Sequence, residues 1–306
     1  GAEGKDIVGL LQNALEARNI RVTVTALLND TVGALVACSY RHPNTLMGII
    51  LGTGSNAAYM EKIANIPKFD LGAACVDRKT VVTADDEMVI NMEWGAFDNE
   101  GDVIPYNRYD RMLDNNSSNV GRQMFEKRIS GLYLGEIFRL VILDLVRLQL
   151  IFKGQISCAL ETPYVLDTSV ISRMVDDESP NFEEGARVVS TKLGLECTSP
   201  ADRYMVRRTA TTVAYRSARF AGAAIGAVIL RRSERLAAAS AENPLAIGVD
   251  GSLYEHFRTF RETMVQSLTE TIGAENMTKI NISLTKDGSG VGAAVTAIMS
   301  AQGKCL

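Results

Sequence analysis

Histidine, tryptophan and paired cysteines are scarce in this sequence of 306 residues. It contains 2 His, 1 Trp and 5 Cys, and the cysteines are scattered without a Cys-x-x-Cys pair. Neither histidine has a suitable partner nearby in sequence for a triad or a metal site, and the cysteine spacing argues against zinc. An odd number of dispersed cysteines is typical of a reduced, cytosolic protein, so we expect a cytoplasmic location.

Charge of one sign and long apolar runs are also lacking. The formal net charge of −4 gives no electrostatic case for a nucleic-acid partner. The apolar stretch 137–152 is interrupted by Arg139, Asp144 and Arg147, and the stretch 221–230 is too short to cross a bilayer. We therefore expect no nucleic-acid partner and no membrane insertion. No signal-peptide pattern is present, and the oligomeric state stays open.

What is present is enough apolar sequence for a large core. Hydrophobic residues make up 46% of the chain and charged residues 22%, which suits one large domain or two modest ones. The chain has no initiator Met, and residues 1–6 read as the lead-in to a helix. These features suggest a fragment of a longer protein.

Apolar spacing and turn residues predict the order of the elements. The predicted helices are 6–18, 31–40, 121–150, 254–271 and 287–300, and the predicted strands are 22–28, 47–51, 57–63, 88–92, 245–249 and 279–284. Residues 180–199 read as irregular, and residues 70–86 as a surface loop. Hairpin strands followed by alternating helices and strands predict an α/β protein with the RNase H-like fold of actin-type ATPases.

Two motifs, about one strand and turn apart, suggest chemistry. Asn29-Asp30 ends a predicted strand, where a carboxylate could take the proton of an attacking hydroxyl. By spacing alone, capping of the next helix is the commoner role for such a pair. Gly52-Thr53-Gly54 lies between two predicted strands, where bare N–H groups could approach a phosphate, although it could also be a plain hairpin turn. Together the motifs suggest phosphoryl transfer to a polyol.

Taken alone, the other polar residues can be explained by ordinary structural roles. Asn56 could be a turn residue and Glu126 a solvated helix residue, and spacing does not unite either with Glu93. Gly251 and Ser252 follow a predicted strand and open a predicted helix, which places N–H groups at a helix N-terminus. Residues 287–290, Asp-Gly-Ser-Gly, are interpreted as a structural turn into the last helix.

Four motifs, in this order, resemble the hexokinase family, and the fungal type most closely. They are Asn-Asp-Thr-Val-Gly at 29–33, Gly-Thr-Gly-Ser-Asn-Ala at 52–57, Glu-Trp-Gly at 93–95, and Gly-Arg-Gln-Met-Phe-Glu-Lys at 121–127. The resemblance extends over essentially the whole chain. It implies the second half of the duplicated hexokinase architecture. Residues 1–30 would be a remnant of the small domain or of the segment that crosses between the domains, and residues 31–306 would be the large domain. The last helix, about 290–301, could pack toward the small domain.

The resemblance also implies roles for individual residues. Asp30 would be the general base, no residue would bind a metal directly, and Mg²⁺ would arrive with ATP. The implied sugar-binding residues are Asn29, Asp30, Asn56, Glu93 and Glu126. The implied nucleotide-binding residues are Gly52, Thr53, Gly54, Gly131, Thr168, Ser172, Gly251 and Ser252.

The implied activity is ATP-dependent phosphorylation of a hexose, with glucose preferred, at the 6-hydroxyl as the first step of glycolysis. Two alternatives stay open: a non-catalytic sugar sensor, and an actin-type ATPase without a sugar substrate. The sequence departs from the family at Leu132, which is Lys in some relatives, and at Tyr215 and Lys286. It also lacks the family's Gly-Gly-Thr phosphate loop and its sugar loop. We therefore expect this chain alone to be inactive or severely impaired.

Overall fold

The computed structural model describes residues 2–70, 82–196 and 199–302. Its first half contains helices α1 (Ile7–Glu16), α2 (Asp30–Arg41), α3 (Arg108–Asn115), α4 (Glu126–Ile129), α5 (Gly131–Arg147), α6 (Cys158–Glu161) and α7 (Thr168–Val175), with strands β1 (Thr45–Leu51), β2 (Ser55–Lys62) and β3 (Glu87–Asn91). Its second half contains α8 (Glu183–Leu193), α9 (Pro200–Arg231), α10 (Ser233–Ala238), β4 (Leu245–Asp250), α11 (Ser252–His256), α12 (Arg258–Ile272), α13 (Ala274–Met277), β5 (Ile280–Leu284) and α14 (Gly288–Ala301). Short 3-10 turns occupy Ile63–Asn65, Trp94–Ala96 and Phe152–Gly154.

The strands form one sheet in the order β3-β2-β1-β4-β5. The first three strands are antiparallel neighbours, whereas β4 runs parallel to both β1 and β5. The carboxyl ends of β1 and β4 therefore lie side by side, since Ile50 pairs with Asp250. This register places the turn after β1 next to the turn after β4, which is the edge where open α/β sheets commonly bind ligands.

Helix α2 packs against β1 and β4 on one face of the sheet, and α14 packs closely against α2. A Cβ atom on Gly292 would lie 2.1 Å from the Gly33 carbonyl oxygen, so the two helices can cross here only because glycine has no side chain. The longest helix, α9, packs against α12 and α5. Side chains of β1 such as Met47, Ile49 and Leu51 join the core that these longer helices form.

Most predicted elements are confirmed, but the strand at 22–28 is wrong. These residues form no strand, and Val22 and Leu27 are 55% and 68% exposed. Strand propensity reports the fit to a half-buried pleated surface, and within the described residues this run pairs with no neighbouring strand. The predicted irregular stretch 180–199 is also wrong, because α8 lies within it. Buried Val188, Val189 and Leu193 form one stripe on an otherwise polar helix.

Two predicted helices are interrupted. In 121–150, the chain turns before α4 begins at Glu126, and the extended backbone of Ser130 separates α4 from α5. In 254–271, Phe257 leaves the helical region between α11 and α12. Part of the predicted surface loop, residues 71–81, lies outside the described residues, as do Cys75, Cys197 and Cys305.

Helix α9 bears on the expectation of no membrane insertion. By length and composition alone it could cross a bilayer, and it is the one helix in the described part of the chain that could. More than half of its most apolar window is buried inside the protein, and buried core helices pass the same test. The expectation stays a prediction.

Candidate active site

The N-terminus of α2 carries the first two predicted site residues. Asn29 is the N-cap, and its Oδ1 atom accepts hydrogen bonds from the Thr31 N–H at 3.0 Å and the Thr31 hydroxyl at 2.6 Å. Asp30 follows as the first helical residue, and its Oδ1 atom accepts from the same N–H at 2.8 Å. Asp30 is exposed, and its Oδ2 atom has no partner among the described residues. Capping therefore uses the Oδ1 atom of Asn29, whose sugar-binding role stays a prediction, whereas Asp30 keeps one oxygen for other chemistry.

Asn56 and Glu93 meet at the edge of the sheet. The Asn56 Nδ2 atom donates to Glu93 Oε1 at 3.1 Å, across 37 residues of sequence. Glu93 has a left-handed backbone with φ of 50°, which turns the chain from β3 into the 3-10 turn that begins at Trp94. This conformation is strained for a non-glycine residue, and such strain often occurs at functional sites.

Glu126 joins the same place through the start of β2. Its Oε2 atom accepts a hydrogen bond from the Ser55 N–H at 2.9 Å. The Ser55 hydroxyl accepts from the Trp94 indole N–H at 3.0 Å, and the Trp94 and Phe125 rings meet edge to face. Residues flanking Glu93 and Glu126 thus pack on each other and hold the two carboxylates around the first residues of β2.

The position of α2 brings Asp30 to this side of the molecule. A Cβ atom on Gly48 would lie 2.4 Å from the Thr31 carbonyl oxygen, so the first turn of α2 rests on β1 there. Gly48 pairs with Ala58, two residues along β2 from Asn56. The predicted sugar-binding residues are therefore carried by neighbouring segments of one sheet edge.

The predicted nucleotide-binding residues form a second group around the turn 52–54. The Gly52 carbonyl accepts from the Gly131 N–H at 2.7 Å, and the Thr53 carbonyl accepts from the Leu132 N–H at 3.0 Å. The Thr168 hydroxyl donates to the Gly131 carbonyl. These contacts bring the hairpin turn, the start of α5 and the start of α7 together.

The remaining predicted residues border this group. Ser172 lies one helical turn after Thr168 on α7. On the other side, a Cβ atom on Gly251 would lie 2.4 Å from the Leu51 carbonyl oxygen, so the turn before Ser252 touches the end of β1. At the start of α7, the hydrogen bond from Ser169 lowers the pKa of the Asp167 carboxyl, which caps that helix.

Comparison with known families identifies the chain. The family model described as hexokinase matches residues 46–299, and a second hexokinase model matches residues 1–40. The chain belongs to the hexokinase family. A hexokinase of Schwanniomyces occidentalis is 40% identical over 301 residues, 98% of this chain and 60% of that protein. A glucokinase of Aspergillus niger is 37% identical over 316 residues, 98% of this chain and 62% of that protein.

The fold belongs to this family as well. A hexokinase from Schistosoma mansoni, solved in complex with glucose, superposes with a TM-score of 0.82 at 33% identity over 98% of this chain and 63% of its own. The predicted RNase H-like, actin-type ATPase fold is thereby confirmed. The chain spans about 60% of the length of these hexokinase relatives.

Sequence reasoning missed two residues of this candidate site. Asp250 ends β4, and its two carboxylate oxygens accept from the Gly251 N–H at 2.7 Å and the Gly288 N–H at 2.8 Å. It thereby ties the turn before Ser252 to the start of α14. An acidic residue between a buried strand and a glycine is the signal that could have found it. The other missed residue is Asn91, whose side chain contacts both Asn56 and Glu93.

The described residues contain no group of three or more His, Cys, Asp or Glu side chains that could hold a metal ion. The expectation that no residue binds a metal directly stays a prediction.

Gly251 offers a test of the contact between these turns. We expect Gly251→Ala to weaken ATP binding at least about tenfold, because the added Cβ would displace the turn 250–252 from Leu51. Isothermal titration with an ATP analogue measures it. Gly273→Ala is the matched control: Gly273 has a similar backbone (φ 88°, ψ 147°, against φ 113°, ψ 157°), but nothing lies within 4 Å of its Cβ position. Equal ATP binding by both variants would contradict the prediction.

Proposed function

We propose that this chain supplies the general base and much of the sugar and nucleotide site of an ATP-dependent hexose 6-phosphotransferase. The observation that carries the proposal is the pairing of two groups at one sheet edge. One group has unused hydrogen-bond acceptors, and the other is a set of backbone turns with unused N–H donors. Family membership supports the same reaction.

The sugar side is rich in acceptors. Glu93 Oε2, Glu126 Oε1 and Asp30 Oδ2 have no partner among the described residues, whereas each carboxylate's other oxygen does. Carboxylate oxygens placed this way suit the O–H donors of a polyol, and such a site rejects analogues that lack a hydroxyl. Glucose is the proposed hexose, and the glucose-bound Schistosoma mansoni relative supports this choice.

The nucleotide side is rich in donors. The N–H groups of Thr53 and Gly54 and the Thr53 hydroxyl have no partner in the described part of the chain, and Thr53 is exposed. They suit phosphate oxygens. The Thr168 hydroxyl already donates to Gly131, so it offers only acceptor capacity. We therefore propose that Thr168 and Ser172 contact the ribose or base, whereas Gly251 and Ser252 border the phosphates.

In the proposed reaction, Asp30 takes the proton of the sugar 6-hydroxyl as its oxygen attacks the γ-phosphorus of ATP. The new O–P bond forms while the bond to the β-phosphate oxygen breaks, which yields hexose 6-phosphate and ADP. Mg²⁺ carried by the nucleotide supplies charge neutralisation at the phosphates. We propose that this reaction is the first step of glycolysis. We also place it in the cytoplasm, and the dispersed cysteines support that location.

We further propose that turnover needs the rest of the hexokinase architecture. The helix α1 has no buried residue, and Ile7, Leu10 and Leu11 are 40%, 41% and 49% exposed. Such an apolar face supports the assignment of residues 1–30 to the small domain or its crossing. Ile298, which is 59% exposed on α14, likewise supports packing of the last helix toward that domain.

A coupled ATP–glucose assay on two forms tests the function. One form is this chain, and the other, called here the extended form, joins it to the amino-terminal part of the Schwanniomyces occidentalis hexokinase. We expect turnover by the extended form only. Turnover by this chain alone would contradict the need for the other part. Glucose binding without turnover in the extended form would favour the sensor, and glucose-independent ADP release would favour an ATPase.

A further inference from the structure

Three side chains form a closed hydrogen-bonded ring at the sugar side of the site. The Asn91 Nδ2 atom donates to Glu93 Oε1 at 2.8 Å, and the Asn91 Oδ1 atom accepts from Asn56 Nδ2 at 2.8 Å. The Asn56 Nδ2 atom also donates to Glu93 Oε1 at 3.1 Å. Asn91 is the last residue of β3 and pairs with Ala58 of β2, so the sheet register brings it beside Asn56.

The ring has a single orientation for each amide. The Asn56 Oδ1 atom accepts from the Ala57 N–H at 2.7 Å, so the Nδ2 atom must face Asn91 and Glu93. Both Asn56 amide hydrogens are then used within the ring. Asn91 must consequently accept from Asn56 and donate to Glu93 at the same time. Among side chains of this size, an amide does both, whereas a carboxylate or an alkyl group does not.

We propose that Asn91 is a positioning residue that, together with the Asn56 amide, holds the Glu93 carboxylate in the orientation that receives the hexose. Glu93 Oε1 is occupied by two donors, so Oε2 is the oxygen left for a sugar hydroxyl. This inference rests on the proposed function of the site, and it adds a residue that does not itself touch the substrate.

Replacement of Asn91 by aspartate tests the positioning role, because a purely structural role would not give the pH-dependent glucose binding expected of this variant. Asn91→Asp keeps the acceptor for Asn56 but puts a carboxylate against Glu93. At pH 8 the two negative charges repel, and we expect glucose to bind at least about tenfold more weakly than to the unmodified chain. As the pH falls to about 5, one of the two carboxylates retains a proton and can donate as the amide did. Binding should then return to within about threefold of the unmodified chain.

Fluorescence of the only tryptophan reports the binding. Trp94 follows Glu93 and donates to Ser55, so it lies beside the proposed sugar position. Glucose is titrated into this chain and its variants from pH 5 to 8. Asn91→Ala, which can neither donate nor accept, should bind weakly throughout. The other charged groups near the ring are Glu126, Asp30 and Arg231, and because the unmodified chain carries the same groups, its profile over the same pH range is the reference.

Asn65→Asp is the matched control. The Asn65 Nδ2 atom donates to Glu61 Oε1 at 2.9 Å, so this variant also places an aspartate against a glutamate, a buried one that lies away from the site. It should leave glucose affinity unchanged at every pH. If glucose does not change the Trp94 fluorescence of the unmodified chain, the proposed sugar site is wrong, and so is the role of Asn91. If the unmodified chain binds and Asn91→Asp binds equally well at pH 8, or stays weak at pH 5, only the positioning role is wrong.

Discussion

Asp30→Asn is expected to lower kcat of the extended form by about 1,000-fold, which is within the range that a positioned general base contributes. The amide has about the same size and keeps an oxygen that can accept from the Thr31 N–H, as Asp30 Oδ1 does at 2.8 Å. It cannot take the proton of the sugar hydroxyl. The KM for glucose should change little, because the other acceptors stay in place. The coupled ATP–glucose assay measures both constants.

The control for this variant is an aspartate at another helix start. Asp6 is the N-cap of α1, and its side chain accepts from the Val8 N–H at 3.0 Å. Asp6→Asn makes the same chemical change outside the site, so kcat should stay at the unmodified value. If Asp30→Asn keeps a kcat close to that of Asp6→Asn, then Asp30 serves only the start of α2 and another group removes the proton.

The second large effect is expected for Arg232→Met. Arg232 is fully buried at the end of α9, where it donates to the Met60 carbonyl, to Glu87 Oε1 at 2.5 Å and to Glu234 Oε1 at 2.7 Å. Loss of the guanidinium leaves the Met60 carbonyl and the Glu87 carboxylate short of donors, and breaking a pair whose cation is buried costs about 3 kcal/mol or more. Urea unfolding monitored by circular dichroism measures the change in the free energy of unfolding.

Arg187→Met is the control for this change. Arg187 pairs with Glu184 at 2.8 Å, but its side chain is 61% exposed, so the loss should be under about 1 kcal/mol. Equal losses for the two variants would show that the buried network adds nothing beyond a surface pair. Because Glu87 begins β3 and Asn91 ends it, Arg232→Met should also disturb the ring around Glu93.

Acid unfolding provides an independent check of the same network. Burial by itself would raise the pKa of Glu61, but the hydrogen bonds donated to it lower that pKa to about 2. A depressed folded-state pKa contributes stability above the unfolded value of about 4.3, and this contribution is lost as the pH falls toward 2. Arg232 Nε lies 3.7 Å from Glu61 Oε1, so Arg232→Met should raise the folded-state pKa of Glu61, which moves the end of this loss to higher pH and makes the loss smaller.

Local patterns predicted the hairpin around Gly52 and Gly54, the helix after Asn29 and the last helix, because their signals lie within a few residues of each other. Composition gave the wrong secondary structure at two places. Residues 22–28 have strand-forming side chains without a paired neighbour in the described residues, and α8 contains three buried aliphatic side chains in a polar stretch. Burial and pairing, which decide such cases, depend on distant parts of the chain.

The sequence by itself determined the family and the chemical types available at the site, because hexokinase motifs keep their order and spacing along the chain. It could not unite Asn56, Glu93 and Glu126, which lie dozens of residues apart, except through that resemblance. Only the tertiary structure decided which hydrogen-bonding atoms are already used. Sheet register places Asn91 beside Asn56, and the packing of α7 on α5 directs the Thr168 hydroxyl to Gly131. The atoms left over, and so the chemistry open to a ligand, depend on neighbours that meet only when the chain folds.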